Sequence, residues 1–308
     1  MYRKIFSYRK IKGFNRKYIE RKIEYDIFEL SWPAEFKTPF YENNTAYAIH
    51  YRPKLNRRNR SIILIPGLHS NANFGRGVAR GLAKSGFDAF VYILPYHMMR
   101  TPKGYKNGEL FLSTQFELSG GAFLQTVKET RALADITTGE EKGLFGISLG
   151  GIISHILMGI DNRFTAGVTV SSGGNINRVL WTGLIGWAIK RELKRRGATE
   201  RDYINIQKKF KKFLDDVREG NWRKPDYPWF LFDPLTYAHL NHPRNVLMFN
   251  GLFDLVIPLK SILELKNALE CRHFVILPSG HLTMLPFSIY IYFYLRDFFI
   301  NWDDKIKN

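Results

Sequence analysis

The stretch GLFGISLGGIISHIL, Gly143–Leu157, joins two patterns at one residue. Gly143–Ile147 is a short apolar run of the kind that forms a buried strand, and Leu149–Leu157 is an apolar run of helical character. Ser148 stands at the junction, surrounded by Gly146, Gly150 and Gly151. A strand that becomes a helix across one residue strains that residue's backbone and points its hydroxyl outward. Side chains two positions before or after would collide in so tight a turn, which explains Gly146 and Gly150. The free N–H groups at the helix start lie beside the hydroxyl and suit an oxygen that becomes negative during a reaction. The stretch has neither the Gly-Lys-Ser/Thr of a phosphate-binding P-loop nor the dinucleotide-binding glycine pattern.

Outward from this turn, strands and helices alternate. YDIFEL and TAYAIHY read as strands from their period of two, and SIILIP, FDAFVYILP, TAGVTVSS, NVLMFN and HFVILP read as buried strands. Helices are expected after SIILIP, over FELSGGAFLQTVKETRALADI, over PLKSILELKNALE and from about Thr283 to Asn301. This order predicts an α/β fold with a mostly parallel sheet covered by helices on both faces. Residues 173–242 break the rhythm: they are helical, basic and rich in Trp, with no clear strand. The expected organisation is a core of residues 1–172 and 243–308, with 173–242 inserted as a helical cap.

A serine hydroxyl is a weak nucleophile and needs a base, usually a histidine oriented by a carboxylate. In a parallel sheet these groups belong at the carboxyl ends of later strands. Asp254 follows the strand NVLMFN, and His281 follows HFVILP. The chain order Ser148, Asp254, His281, together with Gly-x-Ser-x-Gly at a strand-to-helix turn, resembles the α/β-hydrolase superfamily of serine hydrolases. The resemblance runs over roughly residues 61–172 and 244–301. It implies an esterase-like hydrolase that needs no metal or organic cofactor, with thioesterase and acyltransferase chemistry available to the same three groups. A catalytically silent binding protein on the same fold is the alternative from a different class. By position, the resemblance assigns the two oxyanion donors to the backbone N–H groups of Leu149 and Leu68. His69, in the loop after SIILIP, and Trp181, at the start of the cap, are the expected substrate contacts. The family often carries a His-Gly pair in that loop, where this chain has Pro66-Gly67. Ser70 is the next candidate nucleophile, and Asp161 and Asp233 are the competing acids.

Composition narrows the partners. The 308-residue chain has a formal net charge of +18, concentrated in residues 1–22, 52–60 and 190–212. No segment has an RNA-binding or zinc-finger pattern, so nucleic acid is not an expected partner. Arg178–Lys212 joins an apolar, Trp-bearing stretch to a basic run and predicts peripheral contact with an anionic membrane surface. The single cysteine, Cys271, excludes a disulfide framework within the chain. The basic N-terminus lacks an apolar signal region, and a cytoplasmic location is expected.

Overall fold

The computed structural model describes residues 2–113, 116–184, 186–241 and 245–302. The first half of the chain runs α1 (Tyr2–Ile5), β1 (Asn15–Arg21), β2 (Tyr25–Pro33), β3 (Thr45–Pro53), β4 (Arg60–Ile65), α2 (Asn73–Lys84), β5 (Asp88–Ile93) and α3 (Phe116–Ile136). The turn of interest follows as β6 (Glu141–Ile147) and α4 (Leu149–Ile160), and then β7 (Phe164–Val170). The insertion supplies α5 (Ile176–Thr182), α6 (Gly186–Arg195) and α7 (Glu200–Arg218), with three short 3-10 turns between Pro228 and Leu240. The core resumes as β8 (Asn245–Gly251), α8 (Leu259–Ala268), β9 (His273–Leu277) and α9 (Ser288–Ile300).

Among the described residues, nine strands form one sheet in the order β1-β2-β3-β5-β4-β6-β7-β8-β9. The run from β5 to β9 is parallel throughout, whereas β1, β2 and β3 add an antiparallel edge beside β5. The continuous apolar strands are explained by burial on both faces. In β4, Ile62 and Leu64 face α2 and α9, while Ile63 and Ile65 face the opposite layer with α3, α4 and α8. At ~25 cal/mol per Å² of apolar surface, burial of such strands is a major source of stability.

Among the described residues of 173–241 there is no strand. The boundary expected between residues 242 and 243 lies outside the described residues. In α7, Phe210, Phe213, Leu214 and Val217 recur at helical spacing and bury against Phe230, Leu231 and Leu235, in the same core as α3 and α4. Buried Asp233 ties the start of α5 down. Its Oδ1 accepts from Asn175 N–H at 3.1 Å and its Oδ2 from Ile176 N–H at 2.5 Å. Burial raises the pKa of Asp233 to about 6, against the opposing pull of those N–H donors.

Strand β1 has no counterpart in the sequence reading. All seven of its residues are exposed, so no apolar alternation marks it. It is a charged edge strand held by backbone pairing to β2, and its charge discourages pairing with another chain. Among the described residues, no helix is long and apolar enough to cross a membrane.

Candidate active site

Ser148 occupies the single-residue corner between β6 and α4 at φ 52° and ψ −116°. A non-glycine residue there stores roughly 1–3 kcal/mol of strain that its surroundings must hold. The hold is visible. Ser148 N–H donates to Val170 O at 2.8 Å, and Ile152 N–H donates to Ser148 O at 3.1 Å. A Cβ on Gly146 would lie 2.4 Å from Gly150 O, and one on Gly150 would lie 2.0 Å from Ile65 O. The first glycine is thus required by the start of α4, as the tight turn led one to expect, and the second by the neighbouring strand β4.

His281 Nε2 lies 2.8 Å from Ser148 Oγ, and His281 Nδ1 lies 2.8 Å from Asp254 Oδ2. Three residues from separate strand ends thus form one hydrogen-bonded chain. Asp254 Oδ1 accepts from the N–H groups of Val256 and Ile257 at 2.9 and 2.8 Å, which fixes the carboxylate. With Nδ1–H donating to the carboxylate, Nε2 is left as acceptor for the serine O–H.

Leu149 is the first residue of α4, so its N–H has no intrahelical acceptor. The loop carrying Leu68 lies against the corner, since a Cβ on Gly67 would stand 3.4 Å from Ser148 Cβ. Among the described residues, Leu68 N–H has no acceptor. What fixes this loop is a clamp from the segment after β5. His69 N–H donates to His97 Nε2 at 3.0 Å, and His69 Nδ1 lies 2.7 Å from Asn107 O. Asn107 Nδ2 donates to His69 O and Ser70 O at 2.9 and 3.2 Å, and its Oδ1 accepts from Met98 N–H at 2.7 Å. His97 is 1% exposed and its Nδ1 donates to Pro95 O, so it is an internal strut and does not line a pocket. Burial lowers its pKa to about 4, which keeps Nε2 an acceptor.

The other candidates lie elsewhere. Ser70 Oγ accepts from Ala72 N–H at 2.9 Å within its own turn. Asp161 is held by Arg131 and Arg163; burial raises its pKa, but these partners outweigh burial and bring it to about 2. His155 is buried in α4 against Thr169 and Ser172. Trp181 is buried inside the cap, its Nε1 donating to Glu200 at 2.7 Å and its ring stacked on Tyr203 at 5.2 Å. Its side chain is thus committed to cap packing. Among the described residues, no three His, Cys, Asp or Glu side chains gather as a metal site.

No family model matches the chain, and no curated protein does. Solved structures do. A cold-adapted esterase from an Arctic intertidal metagenomic library, in a polyethylene-glycol-bound complex, superimposes with a TM-score of 0.59 at 16% identity, over 92% of this chain and 98% of that one. Acetyl xylan esterase 1 from Thermoanaerobacterium sp. JW/SL YS485 gives 0.56 at 16% identity, over 94% and 92%. The chain has the α/β-hydrolase fold. The acylaminoacyl peptidase of Pyrococcus horikoshii, at 0.58 and 14% identity, shares it over 97% of this chain and 45% of that longer one. In this chain Ser148 lies between β6 and α4, and the loops after β8 and β9 carry Asp254 and His281.

Proposed function

We propose that this chain is a serine hydrolase of carboxylic esters, with Ser148 as nucleophile, His281 as general base and Asp254 as its orienting carboxylate. The observation that carries the reading is the unbroken hydrogen-bond chain Ser148–His281–Asp254 at a strained corner. His281 takes the Ser148 proton as Oγ attacks the ester carbonyl. The carbonyl oxygen becomes an oxyanion beside the N–H groups of Leu149 and Leu68. As the tetrahedral adduct collapses, the C–O bond to the alcohol breaks, and His281 returns the proton to the departing oxygen. Water then attacks the acyl carbonyl and gives a proton to His281; the bond to Ser148 Oγ breaks, His281 returns the proton to Oγ, and the acid leaves. The clamp of His97 and Asn107 holds the Leu68 side of the oxyanion site before substrate arrives, as preorganised stabilisation requires. The esterase neighbours favour ester bonds over other acyl linkages.

The test is labelling with a fluorophosphonate probe beside turnover of p-nitrophenyl esters of graded chain length. Wild type is expected to label and to turn over; Ser148→Ala is expected to do neither while keeping its circular dichroism spectrum and melting temperature. Turnover by Ser148→Ala within tenfold of wild type would move the nucleophile elsewhere. Absence of labelling in wild type would leave a silent binding protein on a hydrolase fold.

A further inference from the structure

The loops that carry Asp254 and His281 present large apolar side chains to solvent. Phe253 and Leu255 flank Asp254, and Leu282 follows His281, with Leu285 one turn on. Leu184 and Trp187 of the cap join them. These six side chains are 60 to 79% exposed. They belong to segments tied directly together. Leu184 N–H donates to Leu255 O at 2.7 Å, Trp187 N–H to Leu184 O at 3.1 Å, and Phe253 N–H to Ser279 O at 2.9 Å. A monomer that leaves such a patch in water has a use for it.

The charge beside the patch indicates what covers it. In α6, Trp187, Lys190, Arg191, Lys194 and Arg195 fall at helical spacings of three and four and line one hollow of the surface. The helix holds four basic residues against one acid, Glu192. Arg191 lies over the Trp187 ring, 5.4 Å from its centroid. An aromatic ring and a basic stripe adjoining exposed aliphatic side chains match a bilayer with anionic headgroups: the apolar groups enter the acyl boundary and the cations stay among the phosphates. The other basic segments do not share this face. Residues 52–60 lead into the amino end of β4, opposite the end that faces Ser148, and β1 lies at the far edge of the sheet. The membrane contact expected over Arg178–Lys212 therefore rests on α6.

We propose that this face, Leu184, Trp187, Phe253, Leu255, Leu282 and Leu285 with the basic stripe of α6, docks on the surface of an anionic lipid bilayer, and that the ester drawn to Ser148 is a lipid of that bilayer. The second half rests on the hydrolase reading above; the docking stands without it. The orientation follows from the residues themselves, since the apolar side chains flank Asp254 and His281 and bring the mouth of the site to the lipid.

The test is co-sedimentation of the full chain with vesicles of phosphatidylcholine alone or mixed with phosphatidylglycerol, alongside hydrolysis of a short soluble ester. Binding is expected to the anionic vesicles and to weaken as salt rises from 0.1 to 1 M, where the screening length falls from ~10 to ~3 Å. Each basic side chain near an anionic surface accounts for about fivefold in partitioning, so Arg191→Ala, Lys194→Ala and Arg195→Ala together should lose about 100-fold. Trp187→Ala should also lower binding while its salt dependence persists. Hydrolysis of the soluble ester should be unchanged in both variants. Equal binding to both vesicle types, or none to either, overturns the proposal. So does a wild-type dimer that Trp187→Ala converts to monomer, which would assign the patch to a second copy of the chain. Anionic-vesicle binding with no ester turnover by wild type would instead refute the hydrolase reading and the lipid substrate while leaving the docking intact.

Discussion

Glu129 and Asp254 are both carboxylates with almost no solvent contact, 1% and 5% exposed, and each faces a nitrogen 2.8 Å away. They differ in what lies beyond that nitrogen. Glu129 meets Arg100, a guanidinium that keeps its proton in proteins. Arg100 also donates to Ile93 O and Asn43 O, while Glu129 accepts further bonds from Tyr92, Gln125 and the backbone of Glu35. The side chains of Arg100, Glu129, Tyr92 and Gln125 are all buried, and their bonds close on one another and on nearby backbone. Asp254 meets His281, whose second nitrogen faces a half-exposed serine. Buried alike, the first carboxylate closes an internal network, whereas the second continues through an imidazole to the Ser148 hydroxyl. A buried carboxylate therefore identifies a site only when its partner can titrate and the chain of bonds ends at an accessible atom.

Isosteric substitution should separate the two carboxylates. Asp254→Asn keeps the shape but offers an amide N–H where His281 needs an acceptor, and the wrong tautomer follows. By analogy with other triads, kcat should fall on the order of 10⁴-fold. The melting temperature should barely move, because the N–H groups of Val256 and Ile257 can still be accepted by the amide oxygen. Steady-state kinetics and a thermal melt on the same preparation check both halves. A near-wild-type kcat would remove Asp254 from its role.

Glu129→Gln should give the reverse pair of results. It leaves the Arg100 charge buried without its counter-ion, and breaking a buried pair this way costs about 3–5 kcal/mol. With roughly 2–4 °C lost per kcal/mol in a domain of this order of size, the melting temperature should fall by about 10 °C. Below that transition, kcat on a short soluble ester should stay within a few-fold of wild type. If Glu129→Gln lost activity like Asp254→Asn while remaining folded, the division between structural and chemical carboxylates would fail.

How much of this was legible in the sequence depends on where the determining contacts lie. The corner at Ser148 was readable because its causes are local: an apolar strand, an apolar helix and glycines at fixed offsets. Asp254 and His281 were readable because the order of strands converts position along the chain into position at one end of the sheet. Strand β1 was hidden, since an exposed edge strand paired through its backbone needs no apolar alternation. The Arg100–Glu129 pair was hidden because it joins the segment after β5 to the middle of α3, and neither side chain looks unusual in its own element. The clamp on the Leu68 loop was hidden for another reason. The side chains of His97 and Asn107 reach main-chain groups of a loop distant in sequence, and His69 and Met98, which they hold, lie in the left-handed region at φ 58° and 51°, positions where sequence rules look for glycine. Trp181 was expected at the substrate, but its partners, Glu200 and Tyr203, lie in α7 of the cap, where no local pattern reveals them.

His97 stands between the two carboxylates in kind: it is buried and structural, yet it touches the loop that carries a proposed oxyanion donor. Its effects should accordingly be the smallest. In the folded chain its pKa lies at about 4, against an ordinary value of 6.5. The folded state therefore binds fewer protons at this site than the unfolded state between those values, and stability falls as pH falls through that window. The contribution is fully present above pH 6.5 and is lost progressively down to pH 4. One unit below 6.5 the loss is about 1 kcal/mol. His155, whose pKa burial lowers to about 3, acts with the same sign, so the comparison must be made against a variant and not against the absolute curve. His97→Gln supplies an amide oxygen near the place of Nε2 and does not titrate. The difference in urea midpoint between wild type and His97→Gln should shift against wild type between pH 7 and pH 5.5. Because the amide oxygen still accepts from His69 N–H, kcat at pH 7.5 should fall little, whereas His97→Phe, which removes the acceptor, should lose about tenfold or more in kcat through a displaced Leu68 N–H. Equal kcat in His97→Gln and His97→Phe would show that the clamp does not govern the oxyanion side of the site, and a pH-independent difference in midpoint would show that His97 is not held neutral by the fold.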